Sequence, residues 1–215
     1  MKHFIKRIVL LLVGLVLFSL GIVITIKANI GYAPWEVFHV GLAITTGLSI
    51  GTISIIIGAV IVIILLLLRE KLGFGTIFNI ILIGIIIDVI FPYIPLGETL
   101  ITGIIMMLAG IFIISVGTCL YLKAAFGAGP RDGLMVVLSR RTRRSVGFCR
   151  FAMEFVVTII GFFFGGMVGA GTVLFVIAIG FFIQMTFKLF RFDATAVRHE
   201  TMLDTYTLLK NARRL

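Results

Sequence analysis

Charged residues are scarce in this chain. Asp, Glu, Lys and Arg make up 13% of its 215 residues, while 60% are hydrophobic. Soluble domains carry roughly 25% charged residues, so a water-soluble fold of this size is excluded. Cysteine is nearly absent: Cys119 and Cys149 are the only two, and they form neither a zinc-type nor a redox spacing. A disulfide framework is therefore excluded. The three histidines, His3, His39 and His199, are scattered, and no HExxH, GxSxG or P-loop pattern occurs. Ser49 and Ser145 have no evident base beside them, as a nucleophile requires. The expectation is a protein that is not an enzyme and that needs neither cofactor nor metal.

What is present in quantity is long apolar sequence. With spans of about 20 residues, the length leaves room for six crossings and no soluble domain. The formal net charge of +10 reads as topogenic lysine and arginine beside the spans, favouring anionic lipid headgroups, and not as a nucleic-acid footprint. The basic start and apolar run of the N-terminus imitate a signal peptide. However, the run continues to Ile26 and recurs in mid-chain, so cleavage is not expected.

Shifted by 96 residues, the chain aligns with itself without a gap. Ser19-Leu20-Gly21 meets Ser115-Val116-Gly117, Lys27-Ala28 meets Lys123-Ala124, Gly31 meets Gly127, and Pro34 meets Pro130. Glu36 meets Asp132, Ser49-Ile50-Gly51 meets Ser145-Val146-Gly147, and Gly84 meets Gly180. Apolar matches mean little in such a chain, but glycine, proline, serine and lysine in one register indicate duplication. The units are 1–96 and 97–190, followed by a tail over 191–215.

Each unit reads as a long helix (8–26; 100–122), a glycine-containing break, a short helix (34–46; 130–140) and two more spans (50–68 and 74–92; 146–165 and 170–188). Proline suits a helix's first turn, and an acid two residues later faces the positive end of the helix dipole. Ser49 and Ser145 are expected N-caps. The short helices cannot cross roughly 30 Å of hydrocarbon, so they are re-entrant or interfacial. Three spans per unit then force the two units into opposite orientations. The fold class expected is all-α: a polytopic membrane protein of about six transmembrane helices from two inverted three-span repeats. With both termini cytoplasmic, Lys27 is the only lysine or arginine left outside, as the positive-inside rule favours. The tail, with Met202, Tyr206 and Leu209 at helical spacing, is expected to be a cytoplasmic helix.

Inverted repeats place sites at their interface, on interrupted helices. Gly31 and Pro34 mark one break, and Gly127, Gly129 and Pro130 the other. Glu36 and Asp132 are the leading candidates for a substrate or ion pathway, against the plainer role of neutralising their own helix starts. Lys27 and Lys123 would pair with those acids or meet an anionic solute, unless they snorkel from helix ends. Trp35 and Arg131 occupy equivalent positions and break the symmetry; an interfacial anchor and an inside charge are the simpler readings. Asp88, with no local partner in sequence, is a further candidate. Glu154 is explained by Arg150 one turn earlier, and His39 is weak evidence for a proton relay. The remaining paired glycines read as helix-packing positions.

The run Lys-Ala-x-x-Gly-x-x-Pro-Trp-Glu over 27–36 and the run Gly-x-Gly-Pro-Arg-Asp-Gly over 127–133 resemble the bacterial YczE/YitT-type membrane proteins, most nearly the YczE group, over about 8–190. The resemblance implies a bacterial plasma-membrane protein and supplies no catalytic or ligand residues. The reading is a transporter or channel-like protein moving a small solute or ion between the two repeats. The alternative is a non-transporting regulator or export accessory binding a partner through the arginines of 140–144. A homo-oligomer is compatible with both.

Overall fold

The computed structural model describes residues 2–193 together with 197, 200–202, 204 and 207. It is all-helical among these residues: α1 (Lys2–Lys27), α2 (Pro34–Thr46), α3 (Ile50–Leu67), α4 (Phe74–Ile90), α5 (Leu100–Ala124), α6 (Pro130–Thr142), α7 (Val146–Phe163) and α8 (Ala170–Leu189), with a 3-10 turn at Phe91–Tyr93. Six of these helices are long and apolar enough to cross a membrane; α2 and α6 are the two that are not. Large apolar side chains such as Ile63, Leu67, Ile101, Ile105, Ile177 and Phe181 are exposed around the outside. In lipid that exposure carries no penalty.

The helix boundaries follow local chemistry. Pro34 and Pro130 sit in the first turns of α2 and α6, where a missing N–H has no helical partner. The Oγ of Ser49 accepts from the Thr52 amide at 3.1 Å and that of Ser145 from the Phe148 amide at 3.2 Å, so both serines cap as expected. α6 runs two residues further than the sequence suggested, to Thr142, and ends on Arg143 in the left-handed region (φ 56°).

The centre is the crossing of α1 and α5. A Cβ on Gly14 would lie 2.6 Å from the Tyr121 amide and 3.0 Å from the Gly117 carbonyl, and one on Gly21 would lie 2.8 Å from the Gly110 carbonyl. Rising residue numbers on α1 thus meet falling numbers on α5, and the helices are antiparallel. Their C-terminal ends, marked by Lys27 and Lys123, therefore lie at opposite ends of the bundle. Without a hydrophobic drive between helices in lipid, this close backbone approach is what holds them together.

After α1 the chain turns back. Six residues, 28–33, link Lys27 to Pro34, and an extended segment of that length reaches back roughly 20 Å. α2 then returns over 13 residues, about 20 Å of helix. The segment after α5 does the same from the other end. Its conformation requires glycine at one point in each break: Gly31 has φ 113° and Gly127 φ 125°. These glycines also lie flat on the other half. A Cβ on Gly31 would be 2.6 Å from the Gly169 amide, and one on Gly127 would be 2.9 Å from Gly73 Cα.

The tail folds back onto the Lys123 end. The Glu200 amide donates to the Ala125 carbonyl at 2.9 Å and the Met202 amide to Leu72 at 3.0 Å. Arg7 pairs with Glu200 and lies 4.4 Å from the Phe126 ring centroid. Tyr206 and Leu209, two of the three positions expected to define a tail helix, lie outside the described residues.

The α1–α5 crossing gives a direct stability test. Gly117→Leu places side-chain atoms where a Cβ already meets the Phe18 amide at 2.6 Å, so it lowers unfolding stability in detergent micelles by about 1–3 kcal/mol. Gly180→Leu, at a position where a Cβ meets nothing within 4 Å, changes it by less than about 0.5 kcal/mol. Denaturant titration followed by circular dichroism separates the two.

Candidate functional site

The first turns of α2 and α6, entering from opposite ends, meet inside the bundle. They border a cavity of about 150 Å³ whose walls include Phe18 and Ile22 of α1 and Ile114 and Thr118 of α5. These residues lie within the α1–α5 crossing, where Phe18 meets Gly117 and Ile114 meets Gly21, so the short helices begin inside the bundle. Non-helical backbone at that depth survives only where protein or water covers it. Here the break carbonyls are used: Gly75 N–H donates to Phe126 at 2.8 Å, Gly171 N–H to Ile30 at 2.7 Å, and the Thr76 hydroxyl to the Ala128 carbonyl at 2.7 Å.

Arg131 organises the charge. Its Nη1 lies 3.5 Å from Glu36 Oε1, and its guanidinium carbon sits 4.6 Å from the Trp35 ring centroid. Its Nη2 is 3.3 Å from His39 Nε2. Glu36 is 5% exposed and His39 2%. A carboxylate this buried survives through its charged partner, and the face of Trp35 adds an electrostatic attraction to the cation. On the α6 side, Tyr121 donates its hydroxyl proton to Asp132 Oδ2 at 2.8 Å. Arg150 Nε donates to Glu154 Oε1 at 2.8 Å. Glu36, Asp132 and Glu154 thus face the same space as Arg131 and Arg150, which leaves one carboxylate in excess.

Of the residues singled out from sequence, Trp35, Glu36, Arg131 and Asp132 converge on this cavity, together with Pro34, Gly129 and Pro130. Trp35 and Arg131 occupy equivalent repeat positions, yet they touch each other, the one capping the other across the middle of the bundle. The plainer readings of both, anchor and inside charge, do not describe that contact. Gly31 and Gly127 shape the breaks. The lysines are elsewhere: Lys27 Nζ lies 4.0 Å above the Phe91 ring, and Lys123 is exposed.

Asp88 is also elsewhere. Its Oδ2 accepts from Ser49 Oγ at 2.5 Å and its Oδ1 from the Gly51 amide at 2.8 Å. It ties α4 to the start of α3, a partner invisible to local sequence because it lies 37–39 residues away. Sequence reasoning passed over Tyr121 and Asn79, which both line the cavity. A tyrosine and an asparagine inside otherwise apolar spans were the available signal.

Two arginines in the last turn of α6 are engaged within the chain. Arg140 pairs with Glu70, and Arg141 Nη2 donates to the Leu68 carbonyl at 3.3 Å. Among the described residues, no group of three or more His, Cys, Asp or Glu side chains is placed to hold a metal.

A double-mutant cycle tests the Arg131–Glu36 pair. Removing one partner strands a buried charge, whereas removing both does not. Arg131→Met alone is expected to destabilise the protein by about 2–4 kcal/mol. Glu36→Gln in the same chain recovers at least half of that loss in detergent unfolding.

The sequence matches the model of a family of unknown function, DUF6198, over residues 5–188. It is 37% identical to an uncharacterized protein of Haemophilus influenzae over 83% of this chain and 82% of that protein. It is 35% identical to the uncharacterized membrane protein YczE of Bacillus subtilis over 80% of this chain and 81% of that one. It is 30% identical to the uncharacterized protein YyaS of the same organism, over 75% and 83%. No solved structure matches. With six apolar helices and a family match across nearly its whole length, this chain is a membrane protein belonging to the DUF6198 family.

Proposed function

We propose that the protein is a transporter or channel-like protein that moves a small solute or ion through the cavity between two inverted repeats. The observation that carries this reading is the buried Glu36–Arg131 pair, flanked by His39 and Trp35, at the meeting point of two interrupted helices. Ionisable groups inside a membrane bundle are costly and are spent where ions or protons pass or where a polar solute rests. Helix first turns entering from both ends offer unpaired backbone groups to such a solute. The excess carboxylate favours a solute of positive charge, and Trp35 and Tyr121 supply aromatic surface for it.

The ends are assigned by charge. Arg7, Arg69, Lys71 and Lys123 lie toward the Lys123 end, which the positive-inside rule places in the cytoplasm; the membrane is then the bacterial plasma membrane. Arg140 and Arg141, engaged with Glu70 and the Leu68 carbonyl, serve in this reading to hold α6 against the loop between α3 and α4.

The test is solute-driven current across proteoliposomes on a solid support, with sodium, potassium, ammonium and small primary amines as probes. A saturable current is expected with at least one of them. Glu36→Gln combined with Asp132→Asn reduces it at least tenfold while the protein still inserts and purifies as before. Vesicles that pass none of these probes, or a double variant with unchanged current, would overturn the reading.

A further inference from the structure

The two halves match in sequence but not in how their last two helices meet. In the first half, α3 and α4 are locked at the Lys27 end. Gly51 and Gly84 are buried against each other, and a Cβ on Gly51 would lie 2.0 Å from the Gly84 carbonyl. Asp88 on α4 closes this end by accepting from Ser49 Oγ and the Gly51 amide.

In the second half, the equivalent glycines are Gly147 and Gly180. Both are exposed, and a Cβ on either would meet nothing within 4 Å. α7 and α8 scarcely touch. They part at the Lys123 end, and their connection at the other end is fixed: a Cβ on Gly166 would lie 2.1 Å from the Val37 carbonyl. The second pair of helices is therefore a V hinged at 164–169, with Arg150 and Glu154 of α7 and Ile179 and Ile183 of α8 lining the cavity between its arms.

The chemistry needed to shut this V is present. Ser145 matches Ser49, Gly147 matches Gly51 and Gly180 matches Gly84. Gln184 matches Asp88, and its side-chain carbonyl accepts the same two donors, a serine hydroxyl and a glycine amide. It is exposed here. The departure is Glu154, which stands where Gly58 packs against Ile80. Its carboxylate is turned to Arg150, and the residue of α8 that matches Ile80 is the smaller Val176.

We infer that α7 closes onto α8, seating Gly147 against Gly180 and Gln184 on Ser145 and the Gly147 amide, and so shuts the cavity at the Lys123 end. The role of that closure rests on the transit reading given above; the closure itself does not.

The test is disulfide cross-linking in native membranes. In a chain carrying Cys119→Ala and Cys149→Ala, Gly147→Cys is combined with Gln184→Cys. Gly51→Cys with Asp88→Cys serves as the reference, because a Cβ at 51 would lie 2.5 Å from Asp88 Cγ. Both pairs are expected to cross-link within one chain on mild oxidation. Adding Gly180→Leu, which fills the seam without meeting anything in the open form, is expected to cut the 147–184 product at least fivefold. As a second measurement, spin labels at Phe148 and Phe181, both exposed, should report two separations that collapse to the longer one with Gly180→Leu.

A reference pair that cross-links while 147–184 does not would overturn the inference. So would a 147–184 product of twice the chain's mass, which would place a second copy in the seam, or a single separation unaffected by Gly180→Leu. Cross-linking reads geometry and current reads transit, so either can fail without the other.

Discussion

Backbone that leaves the helix inside a bundle of this kind must find hydrogen-bond partners, because hydrocarbon supplies none and an unsatisfied group costs several kcal/mol. The chain meets that requirement by exchange. The break after α1 gives its Ile30 carbonyl to the amide of Gly171 at the start of α8, and the break after α5 gives Phe126 to Gly75 at the start of α4. Each half thus completes the other, at positions separated by the same 96-residue step. Flat glycine at 31, 73, 127 and 169 is what lets the backbones come close enough.

The same arrangement creates the polar centre. Because both breaks return the chain to the crossing of α1 and α5, the first turns of α2 and α6 arrive side by side, bringing Trp35 and Glu36 to Arg131. The charges are tolerated in pairs: Glu36 with Arg131, and Glu154 with Arg150. Asp132 is held by a neutral hydroxyl instead. A buried pair of this sort adds little to stability over an apolar replacement, so its presence weighs toward a role in what the cavity contains.

Much of the fold was readable from the residues because it is written in glycine and proline. The 96-residue register placed α2 at 34–46 and the serine caps where they occur. The site was half readable. The acids, Trp35 and Arg131 were visible as polar residues in odd places, but their mutual contact was not, since the register aligns Trp35 with Arg131 without saying that equivalent positions touch. Asp88 looked solitary because its partners are across a helix pair. The lysines recur in the last turns of α1 and α5, and Lys27 packs on Phe91 away from the cavity. The difference between the α3–α4 and α7–α8 seams is hard to see in the sequence: the glycines are the same, and only Glu154 for Gly58, Val176 for Ile80 and Gln184 for Asp88 mark the second seam.

The exchange of hydrogen bonds between the breaks also sets an order of assembly. Tyr32 and Ile30 find their partners at Met167 and Gly171, which leave the ribosome on the order of ten seconds later at ordinary elongation rates. Until then the Ile30 carbonyl and the Tyr32 amide lack the partners of the folded protein, and only the segment from Gly97 to Gly103 is there for the first break to lie against. The newborn first half is therefore not a finished module to which the second is added, and the docking of the last helix completes the first turn-back of the chain.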